Sequence, residues 1–424
     1  MKPEIKERIE MINRGEVPEG YKRKELDIVM PEDWDLKHLK NVINNGIKNG
    51  IFNDPRKVGC GVKLINVINL YKEPYIKTDN LTYLNVQPEE LKKYRVEKGD
   101  VLFTRSSLKL EGIAYCNINM NETEDLVYDC HIIKVSPNKV ILDPQYFRSF
   151  CLIHISRKYF MKNAKQTTMT TIGQNEIAKL PVLLPPLAEQ QKIASILSTW
   201  DKAIELKERL IEQKKYQKRG LMQKLLTGKV RLPGFKGKWK EVELGSVLRE
   251  RKDTGYDNLE LLAITSKNGV VRRTEIDIKD NSSEDKSKYK RICPLDIGYN
   301  TMRMWQGVSG VSEYEGIVSP AYTILKPTDR VNSYFMGYLF KLPKTINLFW
   351  RYSQGLVDDT LSLKYPNFKK IKVIIPVDVK EQESIAGVFK HFDKQLQLLE
   401  QELDLLRQQK KGLMQLLLTG KVRV

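Results

Sequence analysis

The chain has 424 residues, 41% of them hydrophobic and 8% aromatic, and a formal net charge of +19 at neutral pH. Such a composition is that of a globular protein, neither disordered nor fibrous. The length is a prior of about three folding units, and the basic surplus points to a polyanionic partner. Five cysteines form no CxxC pair and the four histidines stand isolated, so neither a disulfide framework nor a zinc site is expected.

Residues 1–30 lack the apolar stretch of a signal peptide, and a cytoplasmic protein is expected. The stretch Lys2 to Tyr21 reads as a short helix followed by a glycine turn. Its pattern is similar to "GLMQKLLTGKVRLPGF" further on, and it is expected to pack near the end of the last helix of the chain.

Residues 31–185 alternate short apolar runs, such as "VLFTR" and "LVYDCHIIKVS", with Gly, Pro, Asn and Asp, which predicts a β-rich α+β domain. Its most apolar segment, Leu180 to Ala188, is interrupted by Pro181, Pro185 and Pro186 and is far too short to cross a bilayer. Two polar loops carry side chains suited to nucleic acid. "FTRSSLK" has Arg105, Ser106 and Lys109, and "AKQTTMTTIGQ" has Lys165, Gln166, Thr168 and Thr170. Arginine, asparagine and glutamine present forked or two-sided donors to base edges, whereas lysine and hydroxyl side chains mostly meet phosphate.

Residues 186–231 predict a helix that is repeated later. Glu189 to Arg231 aligns without a gap onto Glu381 to Arg423, with 21 identities in 43 positions concentrated at the two ends, "EQ..IA" and "GLMQ.LLTGKVR". Apolar residues Ile193, Leu197, Trp200, Ile204, Ile211 and Leu221 fall on one helical stripe, with Lys207, Lys214 and Lys218 on the seam. These lysines either snorkel out of the seam or favour pairing with a different helix. From about residue 189 to 226 the rod would be roughly 57 Å long at about 1.5 Å per residue. Gly228, like Gly420 in the second copy, is placed to supply a left-handed helix cap.

Residues 232–376 form a second domain that matches the first loosely. Trp34, Leu39 and Val42 correspond to Trp239, Leu244 and Val247, and Tyr146-Phe147 corresponds to Tyr334-Phe335. Its candidate nucleic-acid residues are Arg303, Trp305 and Gln306 in "TMRMWQG" and Arg351 and Gln354 in "WRYSQGL". Arg272, Arg273 and the "EDKSKYKR" run through Arg291 are further phosphate candidates. Both domains and the first helix carry net positive charge.

Residues 377–424 repeat the helix, with a stripe through Ile385, Phe392, Leu396, Leu399, Leu403, Leu406 and Leu413. The first helix leads away from one domain and the second must return from the other, so the two helices are expected to run antiparallel. The fold class expected is α+β: two similar globular domains at opposite ends of an antiparallel pair of long coiled-coil helices.

Catalytic motifs are missing. Gln223 and Val230 spoil a phosphate-loop reading of "LLTGKV", and no GxGxxG, amino-methyltransferase Asp/Asn-Pro-Pro-Tyr or GxSxG motif occurs. Binding is what remains, the alternative being a coiled-coil scaffold whose basic charge is incidental.

Taken together, the duplicated "LPPLAEQQKI" and "VKEQESI" lead-ins, the paired "LLTGKVR" exits, "LPGFKGKW" and "GDVLFTRSS" beside "GIAY" resemble the specificity subunits of type I restriction-modification systems. The resemblance spans the whole chain. It implies two target-recognition domains that read the halves of a bipartite, asymmetric site on double-stranded DNA, with the helices as spacer. It also implies recruitment of two methyltransferase subunits, which hold S-adenosylmethionine, and of restriction subunits, which use ATP and Mg. No cofactor is expected in this chain.

Overall fold

The structure, a computed structural model, describes residues 2–24, 27–276, 283, 285–357 and 360–424. Met1, two residues of the N-terminal segment and Glu284 of the "EDKSKYKR" run therefore lie outside the described residues. Two compact units are present, Met1–Lys207 with Glu402–Val424, and Glu208–Gln401. The division cuts both long helices, Leu187–Leu225 and Val379–Leu418.

In the first unit, a four-stranded antiparallel sheet has the order Ile43–Asn49, Ile132–Pro137, Val101–Thr104, Cys116–Ile118. The inner strands are buried because their side chains are apolar on both faces: Val101, Leu102, Phe103, Ile132, Ile133 and Val135 are all inaccessible to solvent. One face packs on helices Pro144–Leu152 and His154–Asn163 through Tyr146, Phe147, Phe150 and Phe160. The other face covers a three-stranded sheet, Leu126–Tyr128, Val58–Ile65 and Thr82–Leu84, through Leu102, Tyr128 and Ile132. Strands Asp35–His38 and Pro181–Leu184 pair antiparallel where the domain begins and ends.

The second unit repeats this plan. Its four-stranded sheet runs Leu248–Arg251, Tyr322–Pro327, Ile297–Asn300, Ser309–Val311, again antiparallel throughout. Helices Ser333–Leu339 and Pro343–Tyr352 cover one face, and Trp239–Glu243 pairs with Lys372–Pro376 as the beginning and end of the domain. The packing residues matched in the sequence, Trp34 with Trp239 and Tyr146-Phe147 with Tyr334-Phe335, occupy equivalent places. Shared strand order, obtained from sequences with little identity, marks the domains as duplicates.

The identical ends of the repeat have a physical explanation: in each unit they touch one another. In the first unit, buried Glu189, at the start of the first long helix, accepts from Trp34 Nε1 at 3.1 Å and from Arg423 at 2.6 and 2.7 Å. In the second, fully buried Glu381 accepts from Trp239 Nε1 at 3.4 Å and from Arg231 at 2.5 and 2.7 Å. The following glutamine, Gln190 or Gln382, donates to two backbone carbonyls and accepts one backbone N–H. A buried carboxylate is stable only with such partners. The second lead-in lacks Pro-Pro, yet Gln382 bonds the Pro376 carbonyl just as Gln190 bonds that of Pro185, at 2.9 Å each.

Within each unit the two helices run antiparallel. In the first, Asp201 pairs with Lys410 and Lys207 with Glu402 at 2.7 Å; in the second, Lys215 pairs with Glu400 at 3.0 Å and Lys218 with Asp393. Two of the seam lysines thus end on acids of the other copy, and Lys214 lies over the Phe392 ring. Along the stripe, Ile193, Leu197, Ile211, Ile385, Leu396 and Leu403 are buried, and Trp200, Ile204, Leu221, Phe392, Leu399, Leu406 and Leu413 are half-buried. The N-terminal segment packs on the tail of the second helix: Tyr21 donates its hydroxyl to the Gly420 carbonyl at 2.7 Å, and Arg8 reaches the Lys421 carbonyl at 3.2 Å.

Candidate nucleic-acid interface

In the first unit, strand Val101–Thr104 runs out into Arg105, where the polar surface begins. Ser106–Ser107 pairs with Thr170–Thr171, which pairs in turn with Lys165–Gln166. Two loops about 60 residues apart in the chain therefore form one small sheet. Its seat is firm, since Ile172 N donates to the Arg105 carbonyl at 3.0 Å and Arg105 N to that of His131 at 2.8 Å. Arg105, Lys109, Lys165, Gln166 and Thr168 are exposed and Ser106 is half-buried. Thr170 is not available to a partner, being only 7% exposed; it serves the hairpin.

His131 belongs to the same surface, its Nδ1 2.9 Å from the Ser106 hydroxyl, and sequence reasoning missed it because its neighbours come from another strand. Asp129, Cys130 and His131 also bring potential ligand atoms within 4.8 Å of one another. The three are consecutive in the sequence, which has no metal-ligand spacing. The Asp129 carboxylate already accepts the His131 backbone N–H at 2.8 Å, and burial pushes the Cys130 thiol up, which disfavours the thiolate form.

The second unit builds an equivalent surface with other residues. Strand Ile297–Asn300 runs out into the Met304–Gln306 turn, on which helix Pro343–Tyr352 packs. Leu363 N donates to the Thr301 carbonyl at 2.9 Å, the counterpart of Ile172 on Arg105, and Gln354 bridges Ser362. Arg351, Gln354 and Gln306 are exposed, and Arg303 and Trp305 are half-buried. The Trp305 N–H is spent on the Met302 carbonyl at 3.0 Å, which leaves its ring for contact. Nearby Trp350 is 50% exposed.

The other arginines lie on separate elements. Arg272 ends strand Gly269–Arg272, 3.5 Å from Glu260 and over the Tyr314 ring, and Arg273 is half-buried beside it. Arg291, in Lys290–Ile292, is matched by Glu315 and lies over Tyr256, so much of its charge is compensated.

Each surface loop is held from behind by a half-buried cation. Arg157 Nη2 donates to the Ile113 and Glu111 carbonyls at 2.6 and 2.9 Å, and Lys341 Nζ to those of Gly307 and Ser309 at 2.7 and 2.8 Å. The strand registers place these contacts on the same loop but not on the same carbonyls: Cys116 faces Phe103 as Ser309 faces Tyr299, which aligns Ala114 with Gly307. Both residues take left-handed backbone, with φ of +47° and +79°. Burial lowers both cations' pKa, that of Lys341 to about 8 with a contribution from nearby Lys218. No motif in the sequence marks either residue.

Comparison with known proteins agrees with this geometry. Residues 31–215 match the family model of the Type I restriction modification DNA specificity domain. The putative type I restriction enzyme MjaX specificity subunit of Methanocaldococcus jannaschii is 26% identical, over 96% of this chain and 97% of that one. The MjaVIII specificity subunit of the same organism is 24% identical, over 69% and 73%. Among solved structures, the S subunit of a type I restriction-modification system from M. genitalium superimposes with a TM-score of 0.53 over 91% of this chain and 96% of that one, at 14% identity. A chain from a study of complex assembly and conformational transition in the type I R-M system gives 0.58, over 93% and 99%, also at 14%. In its matched domain, its full-length relatives and its fold, the chain is similar to the specificity subunits of type I restriction-modification systems.

Proposed function

We propose that this chain reads a bipartite, asymmetric site on double-stranded DNA for a type I restriction-modification complex. The carrying observation is the duplicated surface: one framework presents Arg105, Lys165 and Gln166 in the first domain and Arg303, Gln306, Arg351 and Gln354 in the second. Equivalent frames with unlike side chains fit two unlike half-sites, because base edges are distinguished by the donors offered to them. The lysines and hydroxyls around these residues, with Arg272 and Arg273, serve phosphate, whereas Arg291, paired with Glu315, contributes less. Such contacts fix register and make affinity salt-dependent.

The chain is a non-catalytic subunit. Methyl transfer to adenine falls to two methyltransferase subunits carrying S-adenosylmethionine, and cleavage to restriction subunits using ATP and Mg. The paired helices serve as the docking scaffold and the spacer between the half-sites. The location that goes with these partners is the cytoplasm, and no described helix is long and apolar enough to cross a membrane.

Methylation sequencing of a host with and without this gene tests the reading. One gapped, two-part adenine-methylated motif should vanish with the gene. In a host carrying Arg351→Ala with Gln354→Ala, relaxation should be confined to one half of that motif. An unchanged methylome on deletion, or loss of discrimination in both halves together, would overturn it.

A further inference from the structure

The exposed cluster around Arg105 lies at one end of the four-stranded sheet of the first unit; a second basic surface lies at the other. Strand Val101–Thr104 begins beside Asp100, strand Ile132–Pro137 runs on to Val140, and the turn at Asn45 and Gly46 comes alongside. With helix Pro88–Tyr94 they line a groove of about 640 Å³.

Seven cations line this groove against two acids, Glu97 and Asp100. Three are compensated: Lys134 by Asp100 at 3.2 Å, Arg95 by Asp125 at 3.0 Å, and Lys98 by Glu122. The other four are Lys48, Lys92, Lys93 and Lys139, and no ion pair to an acid is seen for them among the described residues. Lys139 donates to the Lys98 carbonyl, at 2.9 Å, and lies near enough to Glu122, already paired with Lys98, to help lower its pKa, while Lys93 lies over the Tyr94 ring. A concavity lined by one sign of charge focuses field on a counter-ion, and ammonium groups on flexible stems act as point charges toward phosphate. Among the described residues of the second unit, no helix corresponds to Pro88–Tyr94, and the place of Lys134 in the strand register is taken by Ile324.

We infer that this groove is a second, sequence-independent phosphate site, which grips duplex DNA flanking the half-site read by the first domain. This rests on the DNA-reading function proposed above. A four-residue strand at about 3.3 Å per residue separates the two ends of the sheet by roughly 13 Å.

The test uses the full chain in its methyltransferase complex and two duplexes, one ending at the first half-site and one extending at least about ten base pairs, a full helical turn, beyond it. The variant is Lys48→Gln with Lys92→Gln, Lys93→Gln and Lys139→Gln. On the long duplex, the slope of log K against log salt should be shallower for the variant by about 0.9 for each phosphate that is no longer neutralised, up to about 3.6 for all four. On the short duplex the two proteins should give the same slope. Equal slopes on both duplexes, or an equal reduction on both, would overturn the groove. Weaker methyltransferase association with equal DNA slopes would overturn it too, and would give the groove to an acidic protein surface. Failure of the unmodified complex to discriminate any site would instead sink the DNA-reading function itself.

Discussion

Glu381 has no exposed side-chain surface, and its charge is tolerable only because Arg231 forks onto both oxygens while Trp239 donates from the side. Arg231→Met should therefore lower stability by about 3–5 kcal/mol, since it strands a buried carboxylate. Denaturant unfolding of the full chain measures this, and a decrease below about 1 kcal/mol would show that the clasp is dispensable. Lys341 gives a pH signature of the opposite kind. Its pKa is lowered to about 8 in the fold, so between about pH 8 and its ordinary value near 10.4 the unfolded chain binds more protons. Stability should rise with pH in that window, by at most about 1.4 kcal/mol per unit from this group. Lys341→Met should remove that part of the slope; an identical slope in the variant would count against the clamp. Legibility ended at this scale. Arg105, Lys165 and Gln166 were proposed on chemistry alone and lie exposed, but the burial of Thr170, the His131 contact to Ser106 and the clamps Arg157 and Lys341 depend on contacts between segments distant in the chain.

At the level of elements, the long helices were the most legible parts of the chain, because an apolar stripe of helical period and a gapless duplication both survive in one sequence. What the duplication was for was not legible. Its identities concentrate at the ends because each Glu-Gln start meets the Arg of the other copy's exit, and in the seam because Asp201 and Asp393 meet Lys410 and Lys218. The glycine stops were foreseen and are strictly required. Gly420 has φ of +73°, and a β-carbon there would sit 2.5 Å from Pro31 Cδ. Gly420→Ala should cost stability by about 1–3 kcal/mol through left-handed backbone and the clash. Thermal unfolding measures it, and a change within about 0.5 kcal/mol would mean that the N-terminal segment is not seated there. Strand order was beyond the sequence, since short apolar runs do not say which neighbour they pair with.

For the molecule as a whole, the family resemblance carried the function and the duplicated frame explains it physically. A framework that builds the same outlet twice, then furnishes each with different donors, separates the problem of folding from the problem of specificity. On the proposed function each domain would change its target through its loop residues, while Trp34, Phe103, Tyr146 and their counterparts keep the core. In the proposed function the helices set the unread distance. Inserting four residues at matching places in both helices adds about 6 Å of rod. Methylation sequencing of a host carrying that variant is the most direct measurement. The motif should keep both half-sites and gain one or two base pairs in its gap; an altered half-site with an unchanged gap would contradict the account.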